Sequence, residues 1–137
     1  MTRHPANDYI GIPFRDGGRD REGVDCWGLM RLYYRDCYGQ ELPSFEIPVG
    51  EIREIMRQVK EEERSGRWVR LEAPEEGAIV AMAHAQHSHH LGVWVNGMVM
   101  HVSRSTGAVV AQTLRSLENS GFGRIQFYRY VGGAQNG

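Results

Sequence analysis

The spacing of apolar positions along this chain changes near residue 66. Before that point it is helical. In "CWGLMRLYYRDCYG", Leu29, Leu32, Tyr33 and Cys37 recur near every third or fourth position, and Gly39 is a natural stop. A helix is therefore predicted over 26–38. In "EIREIMRQVKEEERSG", Ile52, Ile55, Met56 and Val59 mark one face of an amphipathic surface helix, and the "KEEER" run reads as its solvated side. After Gly66 the period becomes two. Candidate strands are "RWVRLE", "GAIVAM", "HLGVWVN", "MVMHVS", "AVVAQT" and "RIQFYRY". Asn96-Gly97 between two alternating runs signals a two-residue hairpin, with Val95 facing Met98 and His101 opposite Trp94 or its neighbour. Residues 9–25 read as a glycine-rich loop, "LPSFEIPVG" as a connector and "GGAQNG" as a frayed end. Helices first and strands afterwards, with little alternation, predict an α+β fold with helices on one side of an antiparallel sheet.

Composition narrows this without redirecting it. The 137 residues suit one domain spanning 1–137, with 131–137 as a flexible tail. Hydrophobic residues at 41% and charged residues at 24% are ordinary for a soluble domain. A net charge of −1 offers no basic footprint for nucleic acid. No run is long enough for a membrane span, and "MTRHPANDYIGIPF" has no apolar leader, so cytoplasmic synthesis without a signal peptide is expected.

The candidate chemistry begins at Cys26, between Asp25 and Trp27 where the loop becomes the helix. A cysteine there can be an apolar filler, half of a disulfide, a metal ligand or a nucleophile. Eleven helical positions separate it from Cys37, about 16 Å of rise, whereas a disulfide needs Cα atoms within about 7 Å. Both cysteines should be free thiols, with Cys37 a helix packing residue. Asp25 is a good N-cap, and a helix start favours thiolate at Cys26. Strand alternation can put His90 and His101 on one face of the hairpin. A helix-start cysteine, a strand histidine and a polar neighbour are the parts of a thiol nucleophile system: Cys26 attacks, His90 exchanges the proton and His101 orients His90. The plainer readings are a buried Cys26, a packed His101, a Trp27 in the core or cleft wall and an Asp25 that only caps. The "HAQHSHH" run (His84, His87, His89 and His90) raises a metal site, but it lacks ordered ligand spacing, so no metal or other cofactor is expected. Gly17, Gly18 and Gly23 could suggest a phosphate loop, yet no P-loop lysine pattern accompanies them.

"YIGIPFRDGGRDREGVDCWGLMRLYY", "LPSF", "GAIVAM" and "HHLGVWVNGMVMHVS", in that order over roughly residues 8–105, resemble the NlpC-type cell-wall cysteine peptidases, most of all the branch found in phage tails and prophages. The resemblance implies a papain-like fold, with the cysteine-bearing helix packed on the sheet. It also implies hydrolysis of amide bonds in peptidoglycan stem peptides, typically between D-glutamate and a diamino acid. Carried over, Cys26 is the nucleophile, His90 the base and His101 the third residue. Phe14, Asp25, Trp27 and Arg19 are the expected substrate-binding residues. The implied partners are a stem peptide and phage tail-tip proteins, with a tail-borne protein acting at the bacterial wall. Two positions depart from the family pattern. Trp27 stands where serine often follows the cysteine, and Phe14 stands where a tyrosine hydroxyl often lies near the reacting carbonyl. These departures favour the rival reading, a structural tail-tip protein with little activity, and the complete Cys26, His90 and His101 set opposes it. Another thiol amidase or acyltransferase on the same fold is a third possibility.

Overall fold

The computed structural model describes residues 5–42, 57, 68–84 and 89–130. Apart from Arg57, the amphipathic helix expected over 51–66 lies outside the described residues, as do most of the "LPSFEIPVG" connector, His87 and the 131–137 tail. A 3-10 turn at Pro5–Asp8 leads into the loop, which contains a small hairpin, β1 (Arg19–Asp20) and β2 (Gly23–Val24). Helix α1 (Cys26–Tyr38) follows. The six expected strands all form: β3 (Trp68–Leu71), β4 (Ile79–His84), β5 (His89–Val95), β6 (Met98–His101), β7 (Val110–Gln112) and β8 (Phe122–Tyr130). A short helix, α2 (Leu114–Asn119), separates β7 from β8 and has no counterpart in the sequence reading. Thr113 caps it by accepting from Ser116 N.

The strands form one antiparallel sheet in the order β3-β8-β4-β5-β6-β7. Asn96 (φ 51°) and Gly97 (φ 80°) make the β5–β6 turn. Positive φ at both central positions is the I′ geometry that matches strand twist, and it explains the Asn-Gly pair. Val95 pairs with Met98 as expected, followed by Trp94 with Val99 and Val93 with Met100. That register carries His101 to the level of Gly92, one pair beyond the expected position.

Alternation divides the core between the two faces of the sheet. Ile79, Ala81, Leu91, Val93, Val95, Met100 and Tyr128 turn toward Leu29, Met30, Leu32 and Tyr33 of α1. Val80, Met82, Val99 and Leu117 form a smaller cluster on the other face, with Trp94, Phe122 and Phe127 against it. Helix α1 is buried on more than its sheet-facing stripe, because the preceding loop lies across it. A Cβ on Gly28 would collide with Gly18 O, so this close approach requires glycine. The helix ends at Gly39, whose left-handed φ of 63° lets its amide return to Arg35 O.

Candidate active site

Asp25 shapes the nucleophile end of the site. Its Oδ1 accepts from Gly28 N at 2.7 Å and from Arg19 Nη1 at 2.6 Å, and its Oδ2 accepts from Gly17 N at 3.2 Å. The carboxylate caps α1 and ties down the glycine-rich loop, which assigns it the capping reading. Arg19 is held by the same contact and by Gly18 O at 3.0 Å. Both expected substrate contacts are thus engaged within the protein. Trp27 corrects a third: it is 0% exposed, with its ring 6.4 Å from that of Trp68, so it fills the α1 core and offers a ligand no surface. Phe14 is half-buried, with the Arg104 guanidinium 5.4 Å from its ring centre. Arg104 in turn bonds Asp16 at 2.6 Å.

Cys26 and Cys37 are both free thiols. The expected thiolate at Cys26 is not the resting state. Its residue is only 4% exposed, and burial, followed by the Asp25 charge, pushes the thiol up to about 12. Backbone hydrogen bonds from Leu91 and Trp27 and the Arg19 charge act the other way and lose. The physical reason is that the capping carboxylate offsets the positive helix terminus while burial removes the water a thiolate needs.

The histidines form a polar string on the α2 face of the sheet. His90 pairs with Met82 across β4–β5, and His101 with Val110 across β6–β7. His90 Nε2 lies 2.9 Å from His101 Nδ1, and His101 Nε2 lies 2.6 Å from Gln112 Oε1. Gln112 Nε2 donates to Ser116 Oγ at 2.8 Å. The Phe122 ring stacks on His90 at 5.6 Å. His90 is 7% exposed and His101 2%. Burial, then the neighbouring His101, brings His90 down to about 3, and burial also lowers His101. Both rings are neutral at physiological pH.

Gly92 makes the diagonal His90–His101 contact possible. Its ideal Cβ would lie 2.6 Å from Val99 Cγ1, 2.9 Å from Met100 O and 3.2 Å from His101 Cβ. The space needed to seat His101 beside β5 is a missing side chain, which gives the H-x-G spacing a steric meaning.

Cys26 and His90 meet through consecutive positions of β5. The Leu91 amide is close enough to the sulfur to favour its charged form, and His90 is the preceding residue. Among the described residues the Cys26 sulfur and the His90 ring share no hydrogen bond. The structure therefore brings His90 and His101 into contact, and places Cys26 at the backbone beside them. It also adds Gln112 and Ser116, which the sequence reading missed. The alternation of "AVVAQT" was the one available signal, since it puts Gln112 in phase with Val110, opposite His101.

No group of three or more potential metal-ligating side chains converges among the described residues. No described helix is long and apolar enough to cross a membrane.

The pattern that defines the NlpC/P60 family matches residues 11–126. The chain is 26% identical over 105 residues to the Escherichia coli K12 protein named "Murein DD-endopeptidase MepS/Murein LD-carboxypeptidase", covering 76% of this chain and 49% of that one. It is 26% identical over 106 residues to the Haemophilus influenzae protein named "Probable endopeptidase NlpC homolog", covering 77% and 49%. The chain thus spans about half the length of these curated relatives. The crystal structure of the NlpC/p60 domain of the peptidoglycan hydrolase SagA superposes with a TM-score of 0.58 at 19% identity, covering 89% of this chain and 91% of that one, and so shares the fold. With the family pattern covering most of the sequence, this α+β chain belongs to the NlpC/P60 family.

Proposed function

We propose that this protein is a cysteine peptidase that hydrolyses amide bonds in peptidoglycan stem peptides. The observation that carries the reading is the buried His90–His101 pair, with the amide of the next residue, Leu91, close to the Cys26 sulfur. His90 Nε2 is engaged with His101, so Nδ1 is the ring nitrogen left to exchange a proton with the thiol. With the thiol pushed up and the imidazole pushed down, the thiolate–imidazolium pair lies far above the neutral pair in the resting site. Proton transfer to His90 Nδ1 then accompanies attack of the sulfur on the substrate carbonyl. The Cys26 amide, at a first-turn position with no intrahelical acceptor, is the oxyanion donor this chain offers. His90 returns its proton to the leaving amine, and water hydrolyses the acyl-enzyme.

The bond cut is proposed from the sequence resemblance to be the D-glutamyl–diamino acid amide. The name of the Escherichia coli relative brings a DD bond into competition. Delivery on a phage or prophage tail, with tail-tip proteins as partners and the bacterial wall as the place of action, likewise rests on the sequence resemblance. The second reading, a structural protein that retains the fold with little turnover, is favoured by the buried neutral thiol and the absent Phe14 hydroxyl.

Digestion of purified peptidoglycan with mass analysis tests these readings. Wild-type protein should release peptide fragments and Cys26→Ala none, and fragment masses separate a D-glutamyl from a DD cut. An intact wall after wild-type treatment would select the structural reading.

A further inference from the structure

We propose that Gln112, held by Ser116, is a positioning residue that keeps the proton of the resting His90 ring on Nε2 and leaves Nδ1 as the unprotonated nitrogen. Gln112 Oε1 can only accept, so the 2.6 Å contact requires His101 to carry its proton on Nε2. A neutral His101 then has an unprotonated Nδ1, which can only accept. The 2.9 Å contact therefore requires His90 to donate from Nε2. One amide oxygen thus sets the proton position on two rings in turn. Its own orientation is held by donation from Nε2 to Ser116 Oγ at 2.8 Å, on the first turn of α2.

The string ends on a neutral amide. Its N–H groups all donate along the string away from His90 Nδ1, so they favour a proton arriving at Nδ1 by aligned dipoles alone. Removing the Gln112 oxygen frees His101 to carry its proton on Nδ1 and donate to His90 Nε2. His90 would then hold its proton on Nδ1, the atom that must accept one. Because α2 carries Ser116, this short helix has a task in the site beyond packing Leu117 against Val80, Met82 and Val99.

The kinetic part of the test rests on the hydrolase reading, and the spectroscopic part does not. Long-range 1H–15N spectra of histidine-labelled protein at neutral pH should show His90 protonated on Nε2. Gln112→Leu should show an Nδ1–H population, with kcat on wall peptides down about fivefold, the worth of one neutral hydrogen bond, and KM unchanged. Gln112→Glu keeps the acceptor and adds a charge. It should retain the Nε2–H form and raise the acidic limb of the kcat/KM profile by about one unit or more. An unchanged His90 tautomer in Gln112→Leu overturns the proposal. If that variant fails to fold, an acidic limb unmoved in Gln112→Glu overturns it. A tautomer shift in a protein that leaves peptidoglycan intact would uphold the positioning role and end the hydrolase reading instead.

Discussion

Replacing Gly92 with alanine tests the claim that an absent side chain builds the histidine pair. Gly92 is not among the glycines with positive φ, so alanine can adopt its backbone conformation. On that ground alone the change would stabilise the fold by about 0.4–1 kcal/mol, through loss of freedom in the unfolded chain. Packing opposes it. The new Cβ would lie 2.6 Å from Val99 Cγ1 and 2.9 Å from Met100 O, well inside van der Waals contact. Val99 is 0% exposed and β-branched, so it has little rotamer freedom with which to yield, and Met100 O belongs to the backbone. Strands β5 and β6 must separate locally, at the cost of about 1–3 kcal/mol typical of overpacking. The clash outweighs the entropic gain, and a net loss of about 1–2 kcal/mol is expected. The same displacement moves His101, whose Cβ would be 3.2 Å from the added methyl, and lengthens the 2.9 Å contact with His90. Urea unfolding should show a lower midpoint with an unchanged slope, and wall hydrolysis should fall by more than the lost folded fraction. A Gly92→Ala protein as stable and as active as wild type would refute the steric argument.

The remaining predictions concern charge. At pH 8 a thiol at about 12 is ionised on the order of one part in 10⁴, so iodoacetamide should modify half-buried Cys37 before Cys26; peptide mapping that finds Cys26 labelled first would contradict the buried neutral thiol. Because the folded state holds His90 neutral down to about 3 while an unfolded histidine protonates near 6.5, the unfolded state binds more protons between those values and stability falls as pH falls. The folding equilibrium should weaken by up to tenfold per pH unit for each histidine held neutral. Urea midpoints should decline between pH 6.5 and 4.5, before the Asp36 and Glu75 carboxyls, which are held below their usual range, contribute below about pH 4; a flat profile in that window would exclude buried neutral imidazoles.

Much of this protein was legible from neighbouring residues alone. Period two after Gly66 located six strands, because successive side chains of a strand point to opposite faces of the sheet, a pattern that neighbouring residues show. Asn96-Gly97 predicted the hairpin, since only residues tolerant of positive φ suit its turn. Asp25 before Cys26 predicted the helix start for the same local reason. Other features depended on contacts between distant parts of the chain. The entry of β8 between β3 and β4 is a long-range pairing with no local signature. Leu114–Asn119 is too short for helical periodicity to show, and its cap and the packing of Leu117 stabilise it only in place. Gln112 resembled any polar strand residue until the register set β7 beside His101. The ionisation of Cys26 could not be read from its helix position. The helix terminus favours thiolate at a distance that sequence reveals, but burial and the Asp25 charge oppose it, and only the folded chain determines how much water reaches the sulfur.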